Sequence, residues 1–226
     1  MSLQTIFELG KSMTINRRKM VGIQYSRSQI PKVALTPTKN PWKFDIDVAG
    51  RPWIDMRATI EALDLLDRYN SEVITLGSNP NFAWLYRYQG EMSDTQINTI
   101  TVSSFTGNQL VLQNLPVMTS DQVLFKSGDM IQIYGSPHPF TSTTTILRGT
   151  GTTVTVTTHR PNIITSAVTG RAIKVGKDCQ IRVFCPNMPT YRLTPGAQRM
   201  SGSTITNNAI VEWEEPFNLY ESVGEA

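Results

Sequence analysis

Apolar and polar positions alternate with a period of two along much of this chain. The clearest run is PWKFDIDV: Trp42, Phe44, Ile46 and Val48 fall on one face, and Lys43, Asp45 and Asp47 on the other. That pattern predicts a strand with one buried face. Residues 12–28 read as a hairpin. Met13 and Ile15 alternate before the tip, and Val21, Ile23 and Tyr25 alternate after it. Asn16-Arg17-Arg18 forms the tip, since Asn tolerates turn geometry. EVITLG and NFAWLYRYQG read as the next strands. From Ile100 the rhythm shortens, with brief alternating segments separated by turn residues such as Gly107-Asn108 and Gly149-Thr150-Gly151. Turns every eight to twelve residues are an all-β signature.

Only one long segment has helical period. In RATIEALDLLDRY, residues 57–69, Ile60, Leu63 and Leu66 recur every third position, Ala62 and Tyr69 widen the stripe, and Asp55 stands upstream as a cap. SDTQ at 93–96 has the Ser and Gln of a capping box, so a short helix is expected over 93–99. Residues 1–11 place Leu3, Ile6, Phe7 and Leu9 before Gly10, which fits a helical turn or an arm packed on a neighbour. The expected fold is all-β, mainly antiparallel, with one flanking α-helix. Residues 100–178 read as a small β-barrel module inserted between the halves of an outer β domain, residues 1–99 and 179–226.

The chain has 226 residues, enough for a substantial core, with 39% apolar and 17% charged residues. The net charge of +3 is dispersed except at Arg17, Arg18 and Lys19, which is not the basic stripe of a duplex-DNA binder. No apolar run approaches the roughly 20 residues of a membrane span. The start, MSLQTIFELGKSM, lacks the layout of a secretion signal. Cys179 and Cys185 bracket one strand, and its extended length of about 20 Å is beyond disulfide reach. They are expected to be free, buried thiols in a reducing cytoplasm.

Candidate chemistry is sparse. His138 and His159 have no partners at metal-ligand spacing, so no metal and no cofactor is expected. No nucleophile, base and orienting group can be named together, and the expectation is a protein without enzymatic activity. Glu212 and Glu214 share one face of a strand, which reads as solvated. Lys126-Ser127-Gly128-Asp129 turns into MIQIY, whose alternation puts Met130 or Ile131 inward, and Tyr134, His138 and Phe140 then form a possible ligand rim. Trp84, Tyr86 and Tyr88 fall on one strand face and read as core; with Arg87 they would otherwise be a base-stacking surface for single-stranded nucleic acid.

The segments NRRKMVGIQYSRS, NPWKFDIDV, the helix at 57–68, YQGEMSDTQINTITVSSFTGNQL and FCPNMPTYRL together resemble structural tail proteins of contractile-tailed bacteriophages, at the junction of tail tube and baseplate. The resemblance spans most of the chain. It implies a tail-tube-like β-sandwich or barrel, built into closed rings, usually of six copies, with neighbouring tube and baseplate proteins as partners. It also implies a virion location after synthesis in the bacterial cytoplasm, and a channel through which DNA passes without sequence recognition. Arg17, Arg18, Lys19 and Arg27 would then be subunit-interface residues. The mild basic charge and the inserted module favour a junction subunit, such as a tube initiator, over the main tube protein. The alternative is a β-barrel binding module for a glycan or protein.

Overall fold

The computed structural model describes residues 3–16, 21–25, 31–35, 41–66, 70–195, 199–201, 204–206 and 209–223, the short strands at 21–25, 31–35, 199–201 and 204–206 by their backbone pairing alone. The first part contains α1 (Leu3–Leu9), β1 (Gly10–Asn16), β2 (Val21–Tyr25), β3 (Pro31–Leu35), β4 (Lys43–Val48), β5 (Arg51–Pro52), α2 (Trp53–Leu65), β6 (Glu72–Thr75) and α3 (Asp94–Ile97). The middle part contains β7 (Thr101–Thr106), β8 (Gln109–Gln113), β9 (Val123–Phe125), β10 (Met130–Ile133), β11 (Pro139–Thr141), β12 (Ile146–Leu147), β13 (Thr153–Thr157) and β14 (Ile173–Val175). The last part contains β15 (Gln180–Phe184), β16 (Tyr191–Pro195), β17 (Arg199–Ser201), β18 (Thr204–Thr206), β19 (Ala209–Trp213) and β20 (Phe217–Glu221). Every pairing between these strands is antiparallel, and none of the described sheets closes on itself.

The largest sheet has the order β1-β4-β20-β15-β6. The PWKFDIDV strand is β4, between β1 and β20, and it buries alternate residues as its pattern requires. Phe44 faces Ile15 on one side and Leu219 on the other; Ile46 faces Met13 and Phe217. This register corrects the expected hairpin over residues 12–28. β1 pairs with β4, and β2 pairs instead with β3. The apolar face of β1 is completed by Phe44 and Ile46, a larger buried surface than a two-stranded ribbon offers. The tip residues Arg17, Arg18 and Lys19, and Arg27 with them, lie outside the described residues.

Two apolar clusters form the interior. The first joins α1, α2 and the large sheet; Leu3, Ile6 and Phe7 of α1 and Met56, Ile60 and Leu63 of α2 are buried in it. The second draws on residues between Met92 and Val175, from α3 and the sheets β13-β8-β7, β11-β10-β14 and β12-β9. β10 lies between them. Alternation predicted one buried face, yet all four of its residues are buried, because Met130 packs into the first cluster while Ile131 and Ile133 pack into the second.

The helix expected at 57–69 is displaced toward the N-terminus, to Trp53–Leu65. Pro52 precedes it with φ −55°, a value already suited to a helix start, and Asp55 lies inside the first turn rather than capping it. Tyr69 lies outside the described residues. NFAWLYRYQG is not a strand: Ala83–Tyr86 is a 3-10 turn. Its residues divide, Tyr86 being buried, Tyr88 half-buried and Trp84 exposed. The brief helix α3 has both halves of the capping box between Ser93 and Gln96. Cys179 and Cys185 are free and buried, and burial pushes the Cys185 thiol up to about 11.

Phe44 is fully buried, with Trp42 stacked 6.0 Å away and Phe7 edge-on at 6.1 Å. Phe44→Ala is expected to lower the unfolding free energy by about 3–5 kcal/mol through lost transfer energy and a residual cavity. Urea denaturation of the two proteins measures it.

Candidate functional site

Where the two clusters meet, a charged group is buried from solvent. Glu221 ends β20 on the same face as Phe217 and Leu219. Its carboxylate accepts from both terminal nitrogens of Arg160, at 2.6 and 2.7 Å. It also accepts the Trp42 backbone N–H at 3.1 Å. His138 Nδ1 lies 3.0 Å from Oε1, and since an ionised carboxylate only accepts, that nitrogen carries the proton. Arg160 donates further to the Pro139 carbonyl at 2.9 Å and lies over the Phe140 ring. Glu221 ends a strand of the first cluster's sheet and Trp42, itself in that cluster, directly precedes another; Arg160, His138 and Pro139 come from the chain that builds the second. The ion pair therefore ties the two halves of the molecule together.

Burial opposes ionisation of Glu221, but the bonds from His138 and Arg160, with the Arg160 charge, hold its carboxyl below the ordinary carboxylate value. Asp129 shifts the other way. Burial raises it despite the backbone N–H groups of Lys126 and Gln89, which reach it at 2.8 and 3.0 Å. Those bonds close the turn at Gly128, whose φ of +96° suits glycine.

Two clefts that share Lys174 open on the surface. The larger, about 490 Å³, is lined by Trp84, Arg87 and Tyr88, by Asp94, Ile97 and Asn98 near α3, and by Lys174, Lys177 and Asp178. Gly176 draws its walls together. Its φ is +63°, and a Cβ there would meet the Tyr86 carbonyl oxygen and the Tyr88 amide nitrogen at 2.8 Å. The Trp84 indole donates to the Asn81 carbonyl at 2.9 Å, which holds the ring in place. A smaller cleft of about 290 Å³, lined in part by Tyr134, Gln132 and Arg182, shares Lys174 with the first. The Lys174 ammonium lies 5.4 Å from the Tyr134 ring centroid.

The residues expected to form a ligand rim separate. Tyr134 is 62% exposed, whereas His138 and Phe140 are buried, His138 on Glu221 and Phe140 edge-on to Phe105. Both histidines use Nδ1 within the fold, since His159 accepts the Thr141 N–H at 3.0 Å. Glu212 pairs with Arg192, and Glu214 lies beyond the end of β19, where it accepts from Thr190. Among the described residues no group of three or more His, Cys, Asp or Glu side chains could hold a metal, and no helix is long and apolar enough to cross a membrane. Sequence reasoning missed Glu221 and Arg160. The available signal was parity, since Glu221 continues the apolar face of Phe217 and Leu219. No protein-family model matches this chain, and no curated protein matches it.

Glu221→Gln leaves the Arg160 charge buried without its counter-ion and is expected to cost about 3–5 kcal/mol, whereas replacing both residues by Met should cost far less. A group with a lowered folded pKa stabilises above its unfolded value and loses that contribution as pH falls through the folded one. Stability should therefore decline as pH drops below about 4.5, and Glu221→Gln should flatten that decline. Asp129 contributes the opposite slope above 3.8. Thermal melts from pH 3 to pH 7 on both proteins, a window of about 4 pH units around the carboxylate range, measure the difference.

Proposed function

We propose that this chain is a structural subunit of a bacteriophage tail, assembling with its own copies into a ring at the baseplate end of the tail tube. The observation that carries the reading is an apolar strip that, among the described residues, is uncovered and lies beside an open sheet edge. Ile54 and Leu65 lie about three turns apart on one line of α2 and are 72% and 85% exposed. Nearby in the fold, β16 is the outer strand of the sheet β16-β19-β5. Its Leu193 is 49% exposed, on the face where its partner Val211 is fully buried. Beneath the strip, the rings of Trp53, Tyr191, Trp213 and Phe217 follow one another at 6.2, 5.5 and 4.7 Å, which makes this wall stiff. Open edges flanked by apolar side chains invite strand addition, and a closed ring is the symmetric way to cover them.

The occupant in this reading is a second copy of the chain. Charge complementarity supports it: Glu214 and Glu215 are exposed just beyond β19, and the sequence has a run of three cations at Arg17, Arg18 and Lys19, with Arg27 following. The cationic segment of one subunit seats against the acidic end of the next. The ring adopts the tail-tube-like plan, with neighbouring tube and baseplate proteins stacked on it and DNA passing through without base recognition. The work is mechanical, with no chemical step and no cofactor, and its place is the virion.

Light scattering with negative-stain imaging tests the reading. Rings are expected as concentration rises, and Leu65→Glu with Leu193→Glu, both exposed sites, should return them to folded monomers. Arg17→Glu with Arg18→Glu should weaken assembly in the same assay. A protein monomeric at every soluble concentration, or rings indifferent to all four changes, overturns the proposal.

A further inference from the structure

The cleft around Trp84 has the composition of a saccharide site, and we infer that it binds a neutral oligosaccharide. Four tryptophans are present. Trp42 is buried, Trp53 and Trp213 are half-buried, and only Trp84 is exposed, at 69%. An exposed indole is costly to leave in water and here is not free to fold away, because its N–H is held by the Asn81 carbonyl. What remains is a flat apolar platform at the mouth of a 490 Å³ cleft. The apolar face of a pyranose ring matches such a platform in size and shape. Most binding clefts combine an apolar surface with a few placed polar groups, and this one does.

The rim decides the ligand's charge. Arg87, Lys174 and Lys177 supply donors, Asp94 and Asp178 supply acceptors, and Asn98 supplies both. Cations and carboxylates nearly balance. A polyol, which donates and accepts from every hydroxyl, uses the whole set. A single-stranded nucleic acid stacked on Trp84 would bring its phosphates past Asp94 and Asp178, and a tract that follows phosphates is continuously cationic. An organic cation would meet three positive side chains. The Lys174 ammonium, also over Tyr134, carries the polar lining into the second cleft, which gives a chain of sugar units a path beyond the first ring. The walls are preorganised: the Ser93 capping box fixes α3, and Gly176 admits the close approach of the 3-10 turn Gly176–Asp178 to residues 86–88.

The test uses the full chain on a printed array of neutral oligosaccharides built from glucose, galactose, mannose and N-acetylhexosamines. Hits are then titrated by tryptophan fluorescence. At least one is expected to bind and to perturb the emission of Trp84. Trp84→Ala should weaken that binding roughly tenfold or more, the scale of removing an aromatic anchor. Trp84→Phe should restore part of it, and Asp94→Ala should weaken it without changing the thermal melt. Array silence overturns the inference. So does salt-dependent binding of oligo-dT in place of sugars, which would make the cleft a nucleic-acid site. Loss of rings in Trp84→Ala also overturns it, since Trp84 would then be a subunit contact; intact rings with lost sugar binding keep this inference and the ring reading separate.

Discussion

The Glu221 carboxylate is the constraint on which the arrangement of the molecule depends. A charge taken out of water is expensive, and it is tolerated only where geometry returns the lost hydration in fixed bonds. Here one carboxylate receives two guanidinium N–H groups, an imidazole and a backbone amide. Those donors come from distant parts of the chain. Displacing either half of the molecule would strip the group of partners it cannot replace. An apolar contact could slide at modest cost; this one cannot, so the two cores hold a single relative position.

That position sets the surfaces. β10 contributes to both cores, and the turn at Asp129 that launches it bonds back to Gln89. Gln89 follows the 3-10 turn of Trp84, so the cleft wall and the junction belong to one connected structure. A rigid junction keeps the Trp84 side chain and the polar rim of its cleft in register. The same residue type serves different ends by depth alone. Trp42 stacks inside the sheet, Trp53 and Trp213 support the wall beneath the apolar strip, and Trp84 faces solvent.

Much of the architecture was readable along the chain. Period-two alternation identified β4, and the Ser and Gln of SDTQ identified α3, because both are local: strand parity and a capping box depend only on neighbours a few residues away. The buried, unpaired thiols followed from strand length in the same way. Pairing was another matter. β1 carries the right alternation for a hairpin with β2, yet it joins β4, since partner choice depends on which surface completes the larger core. NFAWLYRYQG alternates as a strand but forms a 3-10 turn, closed by the Leu85 N–H on the Phe82 carbonyl and the Arg87 N–H on the Trp84 carbonyl, and only the missing side chain of Gly176 lets a distant segment pack against its backbone.

The sequence by itself determined an antiparallel β fold with few helices, because side-chain periodicity is a one-dimensional property. Tertiary structure alone decided that Tyr134 would face solvent while His138 and Phe140 would not, that β10 would be buried on both faces, and that Glu221 would find Arg160 across 61 residues of chain. Burial and ionic pairing are set by what arrives from elsewhere, and no local pattern encodes the arrival.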